Sequence, residues 1–221
     1  MKHSSDPAAI RIVHAAALAP LTRRDVLKGA GLTLAILTTG PMMSGCSGIP
    51  TAEATLAPNQ FLRIGKDSRV TVLSPNTELG QGTYTGLATL VAEELDADWN
   101  QISIEAAPAD VKLYGNPAFG GMMQGTGGST SVSAFWEPMR RAGATARALL
   151  VQTAATRWNV PAAEISVSKG VVSHAASGRS IVFGELVEAA AELPVPAQVT
   201  LKDPQAFTLI GQDVQRLDAR E

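Results

Sequence analysis

Hydrophobic and polar positions alternate in short runs and then recur at helical spacing, and this pattern divides the chain after residue 60 into elements. Phe61–Ile64 and Val70–Leu73 are β-prone runs on either side of Gly65-Lys66-Asp67, a hairpin signal, and Ser74-Pro75-Asn76 ends the second run. From Tyr84 to Leu95, apolar residues at 84, 87, 90, 91 and 95 fall on one face of a helix. Glu93, Glu94 and Asp96 crowd its C-terminal end against the helix dipole, so tertiary packing has to hold it. Ile102–Ala106 alternates as a further strand, with Ile102 and Ile104 on one face and Ser103 and Glu105 on the other.

From Ser131 to about Trp158 the period is again helical, and Phe135, Met139, Ala142, Ala146, Leu149, Leu150 and Thr153 track one face. Pro138 lacks a backbone donor, so this helix either kinks or properly starts near Glu137, the preceding turn being a separate piece. Glu137 and Arg141 have i,i+4 spacing, Arg140 and Arg147 read as solvated, and Ala142, Gly143, Ala144 and Ala146 allow close packing on a neighbour. Ile165–Ser168 and Val171–His174 alternate around Lys169-Gly170, a two-residue hairpin turn that leaves His174 as a half-exposed strand residue with no acid in evidence. Ser180–Phe183 reads as a strand, Gly184–Glu192 as a short helix and Gln198–Leu201 as a weak strand. These elements give an α+β fold, a short mixed or antiparallel sheet with two main packing helices.

Two glycine-rich loops punctuate the pattern where helices begin: Glu78-Leu79-Gly80-Gln81-Gly82 before Thr83, and Gly125-Thr126-Gly127-Gly128-Ser129-Thr130-Ser131. Glycine lets backbone approach a ligand, the side chains of Gln81, Ser129, Thr130 and Ser131 can bond it, and helix-start amides favour negative charge. Either loop alone reads equally as a helix cap with a flexible entry. Their recurrence about one α/β unit apart favours a shared anion site. Pro108–Thr130, which runs into the second loop, holds six glycines with Tyr114, Phe119 and Met122-Met123, a connection long enough to be functional and too apolar for simple disorder. The spacing Gly-x-Gly-x-x-Gly of a Rossmann dinucleotide site is missing from both loops.

Composition narrows the chemistry. Of 221 residues 45% are apolar, and 18 basic against 20 acidic residues give a net charge of −2, with no basic, aromatic-interleaved face for nucleic acid. A single cysteine, Cys46, and three histidines, His3, His14 and His174, exclude a structural zinc site or a Cys-ligated iron–sulfur cluster within the chain, so any metal must arrive with its own ligand.

Before the folded region, Thr22-Arg23-Arg24-Asp25-Val26-Leu27-Lys28 precedes a short apolar run, Ala30–Leu37, and resembles a twin-arginine export signal, a route that carries folded cargo to the periplasm. Met43-Ser44-Gly45-Cys46 resembles a lipoprotein processing site; acylation of Cys46 and a plain leader both remain open. The organisation expected is a leader over residues 1–46, a flexible tether over 47–59, a partial binding domain over 60–206, and a lead-in to a further domain over 207–221.

The ordered series of motifs carries a family resemblance. Glu78-Leu79-Gly80-Gln81-Gly82-Thr83 leads into the helix of Leu87, Leu90, Val91 and Leu95. It is followed by Gly127-Gly128-Ser129-Thr130-Ser131, Val160-Pro161-Ala162-Ala163-Glu164, Gly170-Val171-Val172, and Gly178-Arg179-Ser180 with Phe183-Gly184-Glu185-Leu186. The series resembles the molybdenum hydroxylases, the xanthine dehydrogenase and aldehyde oxidoreductase superfamily, in particular large subunits of the isoquinoline 1-oxidoreductase type. The resemblance implies a molybdenum pyranopterin, commonly the cytosine dinucleotide form, contacted by Gly80, Gln81, Gly82 and Thr83 and by Gly127, Gly128, Ser129, Thr130 and Ser131. It also implies hydroxylation of an aldehyde or N-heteroaromatic carbon, a separate small [2Fe–2S] subunit, a cytochrome c electron acceptor, export by the twin-arginine machinery, and membrane attachment only through the leader or a lipid on Cys46. Large subunits of that type are several times longer and carry their catalytic glutamate near the C-terminus, so the expectation is an N-terminal portion without catalysis of its own. A non-enzymatic exported lipoprotein that reuses the module for binding or assembly is the alternative.

Overall fold

The computed structural model describes residues 54–219; the export signal, the apolar run after it and Cys46 lie outside the described residues. Strands β1 (Thr55–Asn59), β2 (Leu62–Gly65) and β3 (Val70–Ser74) form an antiparallel meander, and β4 (Ile102–Ala106) joins β3 in parallel, with Val72 opposite Ile104. The crossover between β3 and β4 carries helix α1 (Thr83–Leu95), which places the first glycine loop between a strand's carboxyl end and a helix start. β1 falls inside the expected tether and corrects it: Leu56 is buried, so the fold begins before Asn59.

The long connection after β4 contains a one-turn helix, α2 (Val111–Tyr114). The chain then turns several times before α3 (Trp136–Trp158), whose first turn accommodates Pro138 without needing its missing donor. Phe61 packs edge-on against Tyr114 and Phe135, tying β-sheet, connection and α3 together. A second sheet, β5 (Ile165–Ser168), β6 (Val171–His174) and β7 (Arg179–Val182), follows as a meander. A short helix, α4 (Val187–Ala191), comes after it. Lys169 and Gly170 both adopt positive φ at the β5–β6 turn, as a two-residue hairpin requires. The mixed sheet and two long helices are the α+β arrangement that the pattern predicts.

Several side chains depart from expectation. Gln198–Leu201 forms no strand. His174 is buried, not half-exposed: the register that pairs it with Ile165 brings Glu164 alongside, 2.9 Å from Nε2, while Nδ1 meets the Ser177 hydroxyl at 2.7 Å. Arg140 is not a solvated charge but a buried partner of Glu94, and Arg147, still partly exposed, pairs with Asp96. Residues 208–217 run along α1, with Leu209 on Glu93 and Leu217 on Thr85. Among the described residues no helix is long and apolar enough to cross a membrane.

Candidate functional site

The two glycine loops meet. The Thr77 amide donates to the Thr126 hydroxyl at 2.8 Å, and the Asn76 side-chain amide donates to the Gly125 carbonyl at 2.8 Å. This junction sits just past the carboxyl ends of the parallel pair β3 and β4, where open α/β sheets place their ligands. A cleft of about 510 Å³ opens there, lined by Pro75, Thr77, Ala107, Val111, Gln124 and Thr126 among others.

The first loop is shaped by Glu78. Its Oε1 accepts the amides of Gly80 at 2.8 Å and Gly82 at 2.9 Å, and its Oε2 accepts the Tyr84 amide at 2.9 Å. Gly80 and Gly82 take positive φ, +97° and +82°, which wraps the backbone round the carboxylate and leaves open space where a Cβ would stand. Burial pushes the Glu78 carboxyl up, but the three amides outweigh it and hold the group below its ordinary value. The helix start is therefore not a vacant anion cradle: the protein's own carboxylate satisfies its amides. Gln81 is exposed, with its Oε1 on the Leu79 amide and its Nε2 donating to the Thr77 carbonyl. Thr83 is buried in the first turn of α1.

The second loop turns through consecutive left-handed residues, Gly128 and Ser129, and closes with the Thr130 amide and hydroxyl on the Gly127 carbonyl at 3.2 and 2.8 Å. Gly127, Gly128 and Ser129 are exposed, Thr130 is half-buried and Ser131 is buried. It does not run straight into α3, since turns over residues 131–135 intervene.

Three residues that organise this site escape the motif reading. Asn116, fully buried, donates from Nδ2 to Thr130 Oγ1 at 2.9 Å and accepts the Ala118 amide, fixing the long connection to the second loop. Gln124 donates to the Pro108 carbonyl and accepts the Asp110 amide. Asn76 is 2% exposed, and its Oδ1 has no protein partner among the described residues. Asparagine and glutamine in a loop carry no pattern of their own; only the proline and glycine around them marked the segment. From the far end of the chain, Arg216 donates to the Gly80 carbonyl at 3.4 Å and stands 3.7 Å from Glu78. Among the described residues no cluster of His, Cys, Asp and Glu could hold a metal ion.

The family model described as molybdopterin cofactor-binding domain matches residues 15–216. The chain is 42% identical over 236 aligned residues to the beta chain of isoquinoline 1-oxidoreductase from Brevundimonas diminuta, covering 90% of this chain and 30% of that one. It is 33% identical over 135 residues to the membrane-bound, pyrroloquinoline-quinone aldehyde dehydrogenase of Gluconacetobacter polyoxogenes, covering 61% and 16%. To a nicotinate dehydrogenase subunit of Pseudomonas putida it is 30% identical over 181 residues, covering 81% and 14%. The chain thus spans less than a third of the length of each of these relatives.

Proposed function

The chain belongs to the molybdopterin cofactor-binding domain family of the molybdenum hydroxylases, and from that premise we propose that its two joined glycine loops form the cofactor grip. The observation that carries this is the junction Thr77–Thr126 and Asn76–Gly125, which makes one surface of two loops far apart in sequence. The residues fit such a group. Gly80, Gly82 and Gly127 have open space above them, so a flat ring can approach their backbone. The exposed polar side chains of the two loops, Gln81 and Ser129, are an amide and a hydroxyl, not metal ligands, which suits a molybdenum held by the dithiolene of its own pterin. The unpartnered Asn76 Oδ1 is an acceptor of the kind a pterin or cytosine amino group satisfies.

In this reading Gln81 swings off Thr77 and Leu79 to bond the cofactor, with Gly80, Gly82 and Thr83 behind it. Gly127, Gly128 and Ser129 face the pterin or phosphate portion with exposed backbone and the Ser129 hydroxyl, while Thr130 and Ser131 hold the turn behind them. Glu78 stays with the loop amides and shapes the backbone without touching the reacting atoms. When bound, the cofactor supplies the oxidation that inserts an oxygen from water into an aldehyde or N-heteroaromatic carbon. We propose the cytosine dinucleotide form, a [2Fe–2S] subunit and a cytochrome c as electron acceptors, and twin-arginine export to the periplasm with an anchor at Cys46 as an option. Two of the relatives are named as subunits of larger enzymes, which supports partner subunits, and Arg23-Arg24 supports export. The contribution proposed for these two loops is cofactor binding.

The test is anaerobic titration of the purified chain with molybdopterin cytosine dinucleotide, read by amide hydrogen exchange. Protection should appear over residues 78–84 and 125–131 together and leave the β5–β7 sheet unchanged. Protection of neither loop at saturating cofactor, or of one alone, overturns the shared grip.

A further inference from the structure

Helix α1 ends on two carboxylates that ought to weaken it. Glu93 and Glu94 lie in its last turn, where the dipole favours positive charge, and each is 1% exposed. A buried carboxylate is tolerated only when fully hydrogen-bonded. What satisfies Glu93 is backbone 115 to 117 residues later: its Oε2 accepts the amides of Thr208 at 3.0 Å, Leu209 at 2.7 Å and Ile210 at 3.0 Å. Three successive amides converging on one oxygen form an anion nest. Lys202 Nζ donates to Glu93 Oε1 at 3.0 Å and to Asp96 at 2.6 Å. Glu94 takes the Lys202 amide at 3.0 Å and the Arg140 guanidinium at 2.7 Å, and Arg147 from α3 completes the group on Asp96.

The same segment reaches the other end of the helix. The Leu217 amide donates to Thr85 Oγ1 at 3.1 Å in the first turn of α1, and Arg216 lies against Gly80 and Glu78. Between Thr85 and Glu93 the helix rises about 12 Å at 1.5 Å per residue. Residues 208–218 are thus a strap pinned at both ends of α1.

We infer that Glu93 is a positioning residue for the first glycine loop, acting through this strap on Arg216. While 208–210 are held in the nest, only a short tether separates them from Arg216, which keeps the guanidinium at high effective concentration beside Gly80 and Glu78. With 208–210 released, Arg216 is held only through Leu217 on Thr85 and its own pair with Asp218, and its longer contacts with Gly80 and Glu78 weaken. The coupling stands on the chain's own geometry and goes beyond the cofactor reading, so it is tested without cofactor.

The experiment is hydrogen exchange by mass spectrometry on the full chain at neutral pH, comparing Glu93→Gln and Thr85→Val with the unmodified protein. Glu93→Gln should speed exchange about tenfold at residues 208–210 and also raise it at Gly80–Tyr84, while α3 keeps its protection. Thr85→Val should loosen Gly80–Tyr84 and leave 208–210 protected. Unchanged rates at Gly80–Tyr84 with 208–210 loosened overturn the inference and make the nest purely structural. If Glu93→Gln costs α3 its protection as well, Thr208→Pro removes only one of the three amides on Glu93, and the same split of rates decides.

Discussion

The Arg140 guanidinium stands 5.7 Å from the Trp136 ring and 5.0 Å from the Phe207 ring, with its Nε and Nη2 on Glu94 and Nη2 also on the Lys202 carbonyl. With both charges buried, removing one strands the other. Arg140→Met should therefore cost about 3–5 kcal/mol in urea unfolding, and the double variant Arg140→Met with Glu94→Gln should recover part of it. Equal losses for single and double variants would show that the stranded Glu94 charge is not the source of the loss. At the first loop, Gly82→Ala meets no steric obstacle at its Cβ but must hold φ at +82°, so the expected loss is roughly 1 kcal/mol in the same assay. The apolar residues of α1 and α3 were legible one by one because burial follows period. Arg140, Arg147 and Glu93 were not, since a charge on a helix reads as surface until partners 46 to 117 residues away are in place.

α1 and α3 pack on each other through small residues, and Gly143 is the tightest point. A Cβ there would lie 2.4 Å from the Val91 carbonyl oxygen and 3.1 Å from Glu94 Cβ. Helix propensity alone favours alanine over glycine by about 1 kcal/mol, whereas overpacking a well-filled contact costs about 1–3 kcal/mol. The contact is with backbone, which cannot rotate aside, so the steric cost wins. Gly143→Ala should lower the melting temperature, and a rise would mean that the helices can separate at no cost. The run Ala142-Gly143-Ala144 announced close packing, but the partner came from the fold. Strand legibility followed a similar rule. Alternating runs at β2 to β6 read correctly, while β1 was hidden in a Pro- and Ala-rich stretch, and Gln198–Leu201 alternates without a neighbouring strand to pair with. It lines a cleft with Ala144 and Arg147 of α3 instead.

Across the whole molecule the glycine loops could be paired from sequence by their recurrence and their hydrogen-bonding side chains, yet the pairing is made by Asn76, Thr77 and Thr126, whose hydrogen bonds follow from topology. The same topology makes the domain sensitive to acid. Glu78 gathers the first loop and Glu93 gathers the strap, so two remote parts of the chain depend on ionised carboxylates. Burial pushes both groups up, and the amide hydrogen bonds, with Lys202 beside Glu93, more than reverse it, leaving both below the ordinary value of 4.5. A carboxylate whose value is depressed on folding stabilises the native state above its unfolded value, and that stabilisation is lost as pH falls toward the folded value. Melting temperature should thus be nearly flat from neutrality to about pH 5 and fall steeply below about 4.5. Glu93→Gln removes one of the two groups, so its curve should lie lower at neutral pH and fall less steeply in acid. The measurement is a series of thermal melts over roughly pH 3 to 7 on both proteins. Parallel acid limbs would mean that Glu93 titrates alike in the folded and unfolded chain, and that the nest around it does not hold the charge.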